Sequence, residues 1–181
     1  MCRPDILPMT QDPTKPFLNL KGNKHPVLAT INSQFLQNDI QLNSDQNGDG
    51  LFIMLTGPNM GGKSTILRQS CLSIIMGQIG CYIPGDFGSW TAVDRIFTRL
   101  GANDRLISGK STFYVEMEET SNIIKYGSNN SLAIVDELGR GTSTFDGVAI
   151  ANTVMRYLAG ELKCRTFFAT HYHNLVYEAL A

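Results

Sequence analysis

Residues 56–65 read TGPNMGGKST, and no other stretch constrains the fold as tightly. Gly57-Pro58-Asn59-Met60-Gly61-Gly62-Lys63-Ser64 fits G-x-x-x-x-G-K-[ST] without a gap. Glycines let such a backbone curl until successive N–H groups point inward and cradle the oxygens of a polyphosphate. A helix starting at the lysine presents its positive N-terminal end to the same anion. Lys63 reaches the β- and γ-phosphates as a point charge, the Ser64 hydroxyl is a ligand for Mg²⁺, and Thr65 is a further donor to the phosphates. The pattern requires a strand before it and a helix after it. LFIML (51–55) is a short apolar run bounded by turn signals, which predicts a fully buried strand of a parallel sheet. Leu67, Cys71, Ile74 and Ile75 then recur at helical spacing, which predicts a helix over 63–79.

The same alternation runs on. AVDRIFTRL (92–100) predicts a strand, 101–111 a loop, and Phe113, Met117 and Ile124 a helix over about 112–127. Glu116, Glu118 and Glu119 fall near the start of that helix, where its dipole favours acids. SLAIVDE (131–137) and CRTFFAT (164–170) are two more buried strands. Between them, Val148, Ala151, Met155, Leu158 and Leu162 step by threes and fours along an amphipathic helix. A short helix is expected from about Tyr172. Upstream, FLNLKGNKHPVLAT and NDIQL predict short strands around turns, and NSDQNGDG (43–50) a polar loop. Residues 1–16 carry four prolines and read as an extended lead-in to a domain over 17–181. The fold class that follows is α/β with a largely parallel central sheet flanked by helices.

Length and charge narrow the function classes. A chain of 181 residues suits one compact domain with a sizeable core. Fifteen basic and 16 acidic residues, with no Lys/Arg run, argue against strong nucleic-acid binding by this piece itself. No apolar run approaches the length of a membrane span, so no membrane partner is expected. The four cysteines, Cys2, Cys71, Cys81 and Cys164, are not at metal-ligand spacing and are expected to be reduced.

A phosphate loop of this kind needs a carboxylate at the end of a neighbouring strand for the Mg²⁺ shell. LAIVDE supplies Asp136 after four apolar residues, and Glu137 follows, placed to orient or deprotonate an attacking water. That pair favours a nucleotide hydrolase over a small-molecule kinase, which needs no water-activating base. His171, after FFAT, closes a third strand within reach of a γ-phosphate, although a lone histidine is more often structural. His171 and His173 form H-x-H, which lacks the further ligands a zinc site needs.

TGPNMGGKST, FTRLGANDRLISGKSTFYVEM, VDELGRGTSTFDG and FATHYH together resemble the ATPase domain of the MutS family of DNA mismatch-repair proteins, over nearly the whole chain. MCRP and FLNLKGNKHP are most similar to the larger, mismatch-contacting subunit of the eukaryotic MutSα heterodimer. The resemblance implies a P-loop NTPase of the ABC-ATPase type, whose sites are shared across a dimer. It implies that Lys63, Ser64 and Thr65 hold ATP and Mg²⁺, that Asp136 is the strand-end metal carboxylate, and that Glu137 is the catalytic base. By the same resemblance Ser111 is the signature serine offered to the partner's nucleotide. Residues 139–146 line the dimer seam, and His171 is a switch histidine. Phe35 matches an aromatic that stacks on adenine, with a core phenylalanine as the alternative; Leu36-Gln37 stand where the family more often has proline.

The implied partners are a second MutS-family ATPase subunit and mismatched double-stranded DNA, the latter through domains outside this chain, and the implied location is the nucleus. The mismatch-reading, lever, clamp and C-terminal dimerisation parts are not in these 181 residues, so the chain is expected to be a fragment. One rival, an ABC-type ATPase of another DNA-maintenance complex, predicts a Ser-Gly-Gly-rich signature where this chain has STFYVEM. Another is a nucleotide-binding assembly module that is inert without its partner.

Overall fold

The computed structural model describes residues 1–12, 14–43, 50–58, 60–100 and 111–180, with backbone only for 178–180. The loops expected at 43–50 and 101–111 therefore lie almost wholly outside the described residues. Two four-stranded sheets form. In the first, β4 (Phe52–Leu55), β8 (Arg165–Ala169), β7 (Leu132–Asp136) and β6 (Ile96–Arg99) lie in that order, all parallel. In the second, β1 (Asp5–Leu7) runs parallel to β5 (Phe87–Thr91), and β2 (Leu18–Asn23) lies antiparallel to both β5 and β3 (Asn38–Leu42).

The helices are α1 (Leu28–Ile31), α2 (Lys63–Gln78), α3 (Thr112–Tyr126), α4 (Thr144–Arg156) and α5 (His173–Leu180). Strand alternation sorts them into layers. Leu132 and Ile134 of β7 join Leu67, Cys71 and Ile74 of α2 and the inner face of the second sheet: Leu18, Leu20, Ile40, Leu42 and Trp90. Ala133 and Val135 face the other way, into a core with Ile123 of α3 and Ala151, Val154 and Met155 of α4. Both faces of β7 and β8 are thus covered, which is why their sequences are continuous apolar runs. Helix α2 lies between the two sheets and buries Gln69, Ser70 and Ser73 along with its apolar positions. Ser70 Oγ donates to Ile66 O at 2.7 Å within the helix, and Ser73 Oγ accepts from Asn23 Nδ2 of β2 at 2.7 Å.

Four expectations change. LFIML is a strand, but β4 is an edge of its sheet, so its residues are only partly buried. The second sheet contains two strands not anticipated. FGSWT lacks a clean apolar period, and DIL is held by pairing to it rather than by its own composition. No acidic residue lies in the first turn of α3; Glu116 sits one turn further in and is buried. The long amphipathic helix ends as α4 at Arg156 and continues through a π-helical turn, Tyr157–Leu162.

Arg165, the first residue of β8, ties the two sheets together. Its guanidinium is fully buried and donates to Phe17 O (3.2 Å), Thr91 O, Thr91 Oγ1 (3.0 Å), Ala92 O (3.3 Å) and Asn130 O (2.5 Å). Burial pushes it down to about 10, still charged at neutral pH. All four cysteines are free; Cys71 and Cys164 are buried, and burial pushes both thiols up.

Candidate nucleotide site

Ligands of open α/β sheets bind beyond the carboxyl ends of the strands, and here the singled-out residues gather at that edge. The loop after β4 turns through Gly57 (φ +146°), Met60 (φ +65°) and Gly62 (φ +88°). Gly61 N–H donates to Pro58 O at 3.1 Å and closes the turn. Gly62 is the N-cap of α2 in left-handed conformation and provides no side-chain cap. The first N–H groups of the helix are therefore left for another acceptor. Lys63 Nζ donates to Gly57 O (2.7 Å) and Pro58 O (3.0 Å), so its ammonium folds back over the loop. Thr65 is half-buried in the first turn of α2, and Asn59 lies outside the described residues.

Ser64 and Asp136, 72 residues apart, meet directly: Ser64 Oγ donates to Asp136 Oδ2 at 2.7 Å. Glu137 adopts φ +56°, uncommon for a residue with a side chain and worth about 1–3 kcal/mol of local strain. Its N–H donates to Ala169 O at 2.9 Å, and its Oε2 accepts from Arg140 at 2.7 Å. Because β8 lies between β4 and β7, Ala169 pairs with both Leu55 and Asp136. His171 follows two residues after Ala169, at the end of the strand that lies between β4 and β7; it is exposed, its ring 4.2 Å from that of Tyr172.

Two residues are not gathered in this way. Ser111 is exposed and caps α3, its Oγ accepting from Tyr114 N–H at 3.1 Å. Thr112, next to it, lines a cavity of about 220 Å³ together with Asp136, Glu137 and Arg140. Phe35 is half-buried in the turn leading to β3, on the flank of the second sheet, with its N–H donating to Asn32 O at 3.1 Å.

Sequence reasoning missed Glu116. Its carboxylate, 1% exposed, accepts from Gly139 N–H through Oε1 and from Gly141 N–H through Oε2 (3.3 Å), and lies 3.5 Å from Arg99. The signal was present: Glu116 stands three residues after Phe113 and seven before Ile123, a charge on the apolar face of the helix.

A family model described as MutS domain V matches residues 53–180. The human DNA mismatch repair protein Msh6 is 52% identical over 97% of this chain and 13% of its own length. DNA mismatch repair protein MSH6 of Saccharomyces cerevisiae is 47% identical over 96% of the chain and 14% of its length. DNA mismatch repair protein MutS of Finegoldia magna is 47% identical over 89% of the chain and 19% of its length. The chain spans less than a fifth of each of these relatives. The family match begins inside the strand that delivers the phosphate loop and ends in α5, so it takes in the parallel sheet but for Phe52. The chain belongs to the MutS family as its domain V, the ATPase domain of DNA mismatch-repair proteins.

Proposed function

We propose that this chain binds ATP with Mg²⁺ and hydrolyses it by in-line attack of water, as half of a site that a second MutS-family ATPase subunit completes. The observation that carries the reading is the Ser64–Asp136 contact at 2.7 Å, directly beside Glu137. A hydroxyl and a carboxylate are the hard oxygen donors Mg²⁺ takes when phosphates supply much of its shell. The ion, when bound, offsets charge on the β- and γ-phosphates. Gly57, Pro58, Asn59, Met60, Gly61 and Gly62 form the phosphate loop, whose backbone N–H groups, Pro58 having none, donate to the phosphates; Lys63 turns its ammonium onto them, and Thr65 adds a hydroxyl. Glu137 takes the proton of the attacking water, and His171 contacts the γ-phosphate from the neighbouring strand. Phe35 stacks on the adenine. Ser111, at the exposed start of α3, faces the partner's nucleotide.

In the full-length protein, nucleotide state is coupled to binding of mismatched double-stranded DNA, through domains outside these residues and within a MutSα-type heterodimer. The location is the nucleus, by similarity to the eukaryotic relatives. Among the described residues no helix is long and apolar enough to cross a membrane.

A second reading, a nucleotide-binding module inert without its partner, is favoured by the Glu137–Arg140 ion pair, which occupies the carboxylate. Arg140 is 68% exposed, so the pair is weak and easily exchanged. An ATPase assay with and without a partner subunit separates the two readings. Lys63→Ala is expected to abolish tight ATP binding, and Glu137→Ala to bind ATP and retain it unhydrolysed. Wild-type turnover by the Glu137→Ala chain in the paired assembly sinks the base assignment.

A further inference from the structure

Three segments that carry candidate site residues meet at Gly139. Its N–H donates to Glu116 of α3, and its carbonyl accepts from Tyr172 Oη at 3.0 Å, next to His171. Its φ of +90° favours glycine, and an added Cβ would stand 2.5 Å from Gly147 O in α4. The backbone carrying Glu137 is therefore held at both ends: by Ala169 O at Glu137 itself, and by Glu116 and Tyr172 two residues later.

Glu116 is acceptor-only when ionised. It directs its carboxylate to the amides of Gly139 and Gly141 and to Arg99, which is itself 5% exposed and also pairs with Glu119 at 3.6 Å. A buried carboxylate is tolerated only when paired and hydrogen-bonded, so α3 and the 139–141 loop are held as one unit. Ser111 starts this helix, one and a half turns before Glu116. A displacement of the α3 N-terminus is thus transmitted to the loop that aims Glu137.

We infer that Glu116 is a positioning residue that couples the N-terminal end of α3 to the Glu137 loop, with the Tyr172 hydroxyl holding the same loop from the His171 side. The inference rests on the reading above that Glu137 activates water. Burial pushes the Tyr172 hydroxyl up, and the charge of Glu116 adds to the shift, so Tyr172 stays a neutral donor at physiological pH. Glutamine at 116 keeps the volume but puts a donor where the loop amides and Arg99 also donate. Tyr172→Phe removes one hydrogen bond with little change of shape.

The test is steady-state ATP turnover and ATP affinity for the 181-residue chain paired with a second MutS-family ATPase subunit, together with amide exchange of the chain alone. Glu116→Gln is expected to lower kcat by about 30-fold with Kd for ATP within about threefold. Exchange at Gly139 and Gly141 should rise by about tenfold while β7 and β8 amides hold their rates. Tyr172→Phe should lower kcat by about threefold to tenfold, and the double variant should lose less than the product of the two. An unchanged kcat and unchanged exchange at Gly139 overturn the inference. So does a loss in which Kd and β7 and β8 exchange move together with kcat, since that is plain destabilisation. Glu137→Ala run in parallel keeps the readings apart. If it turns over normally, or if no pairing yields turnover, the hydrolytic reading fails and exchange at Gly139 still decides whether Glu116 holds the loop.

Discussion

Replacing Arg165 with Met is expected to destabilise the domain by about 3–5 kcal/mol, the cost of removing one side of a buried charged network. The guanidinium has no solvent exposure and bonds carbonyls on three segments: Phe17 before β2, Thr91–Ala92 at the end of β5, and Asn130 before β7. Hydrogen bonds to a charged group contribute about 1.5–3 kcal/mol each, and the three shortest here, to Thr91 O, Thr91 Oγ1 and Asn130 O, sum to roughly 4.5–9 kcal/mol. Desolvating the cation offsets several kcal/mol of that. Met fills most of the side-chain volume but leaves the carbonyls unmatched. Urea unfolding of wild type and Arg165→Met reads the difference. With a slope of about 2 kcal/mol per molar urea, the midpoint should fall by about 1.5–2.5 M. Arg165→Lys should also lose stability, because an ammonium cannot reproduce the planar fork. A midpoint shift below about 0.5 M for Met would refute the reasoning and mean that the carbonyls find other donors.

His25 is held below its ordinary 6.5 by burial, with the nearby charge of Arg68 adding to the shift, and its Nδ1 accepts from Val27 and Leu28 N–H, each at 3.3 Å. The unfolded chain protonates first on acidification, so this contribution to stability is complete above about pH 6.5 and is lost as pH falls through the folded value. An NMR titration that placed the His25 pKa at or above 6.5 would contradict this. Gly77→Ala puts a Cβ 2.5 Å from Cη2 of the fully buried Trp90, and overpacking should outweigh the gain in helix propensity by about 1–2 kcal/mol. Trp90 is the single tryptophan, so its fluorescence reports the site directly. Unaltered emission and an unaltered unfolding midpoint would show that α2 and β5 separate without strain.

Local chemistry was legible wherever local spacing decides it. The phosphate loop, its strand and its helix follow from glycines, a lysine and apolar periodicity inside 30 residues. The buried runs of β7 and β8 announce a doubly covered parallel sheet in the same way. Ser64 and Asp136 could be named individually. Their contact depends on the strand order β4-β8-β7, which no short window contains. FGSWT of β5 was silent because its place in the sheet comes from pairing with β1 and β2 on either side rather than from an apolar pattern of its own.

The sequence by itself determined the family, the α/β class and the residues of the phosphate-loop pattern, because these rest on residue types at short fixed spacings. Tertiary structure alone decided what those groups touch. Glu116 became the anchor of the Gly139 loop rather than an acid favoured by the helix dipole, and Arg165 became the tie between two sheets. Whether a charge is buried, and by what it is matched, depends on elements distant in the chain, so its role is fixed only when the fold brings those elements together.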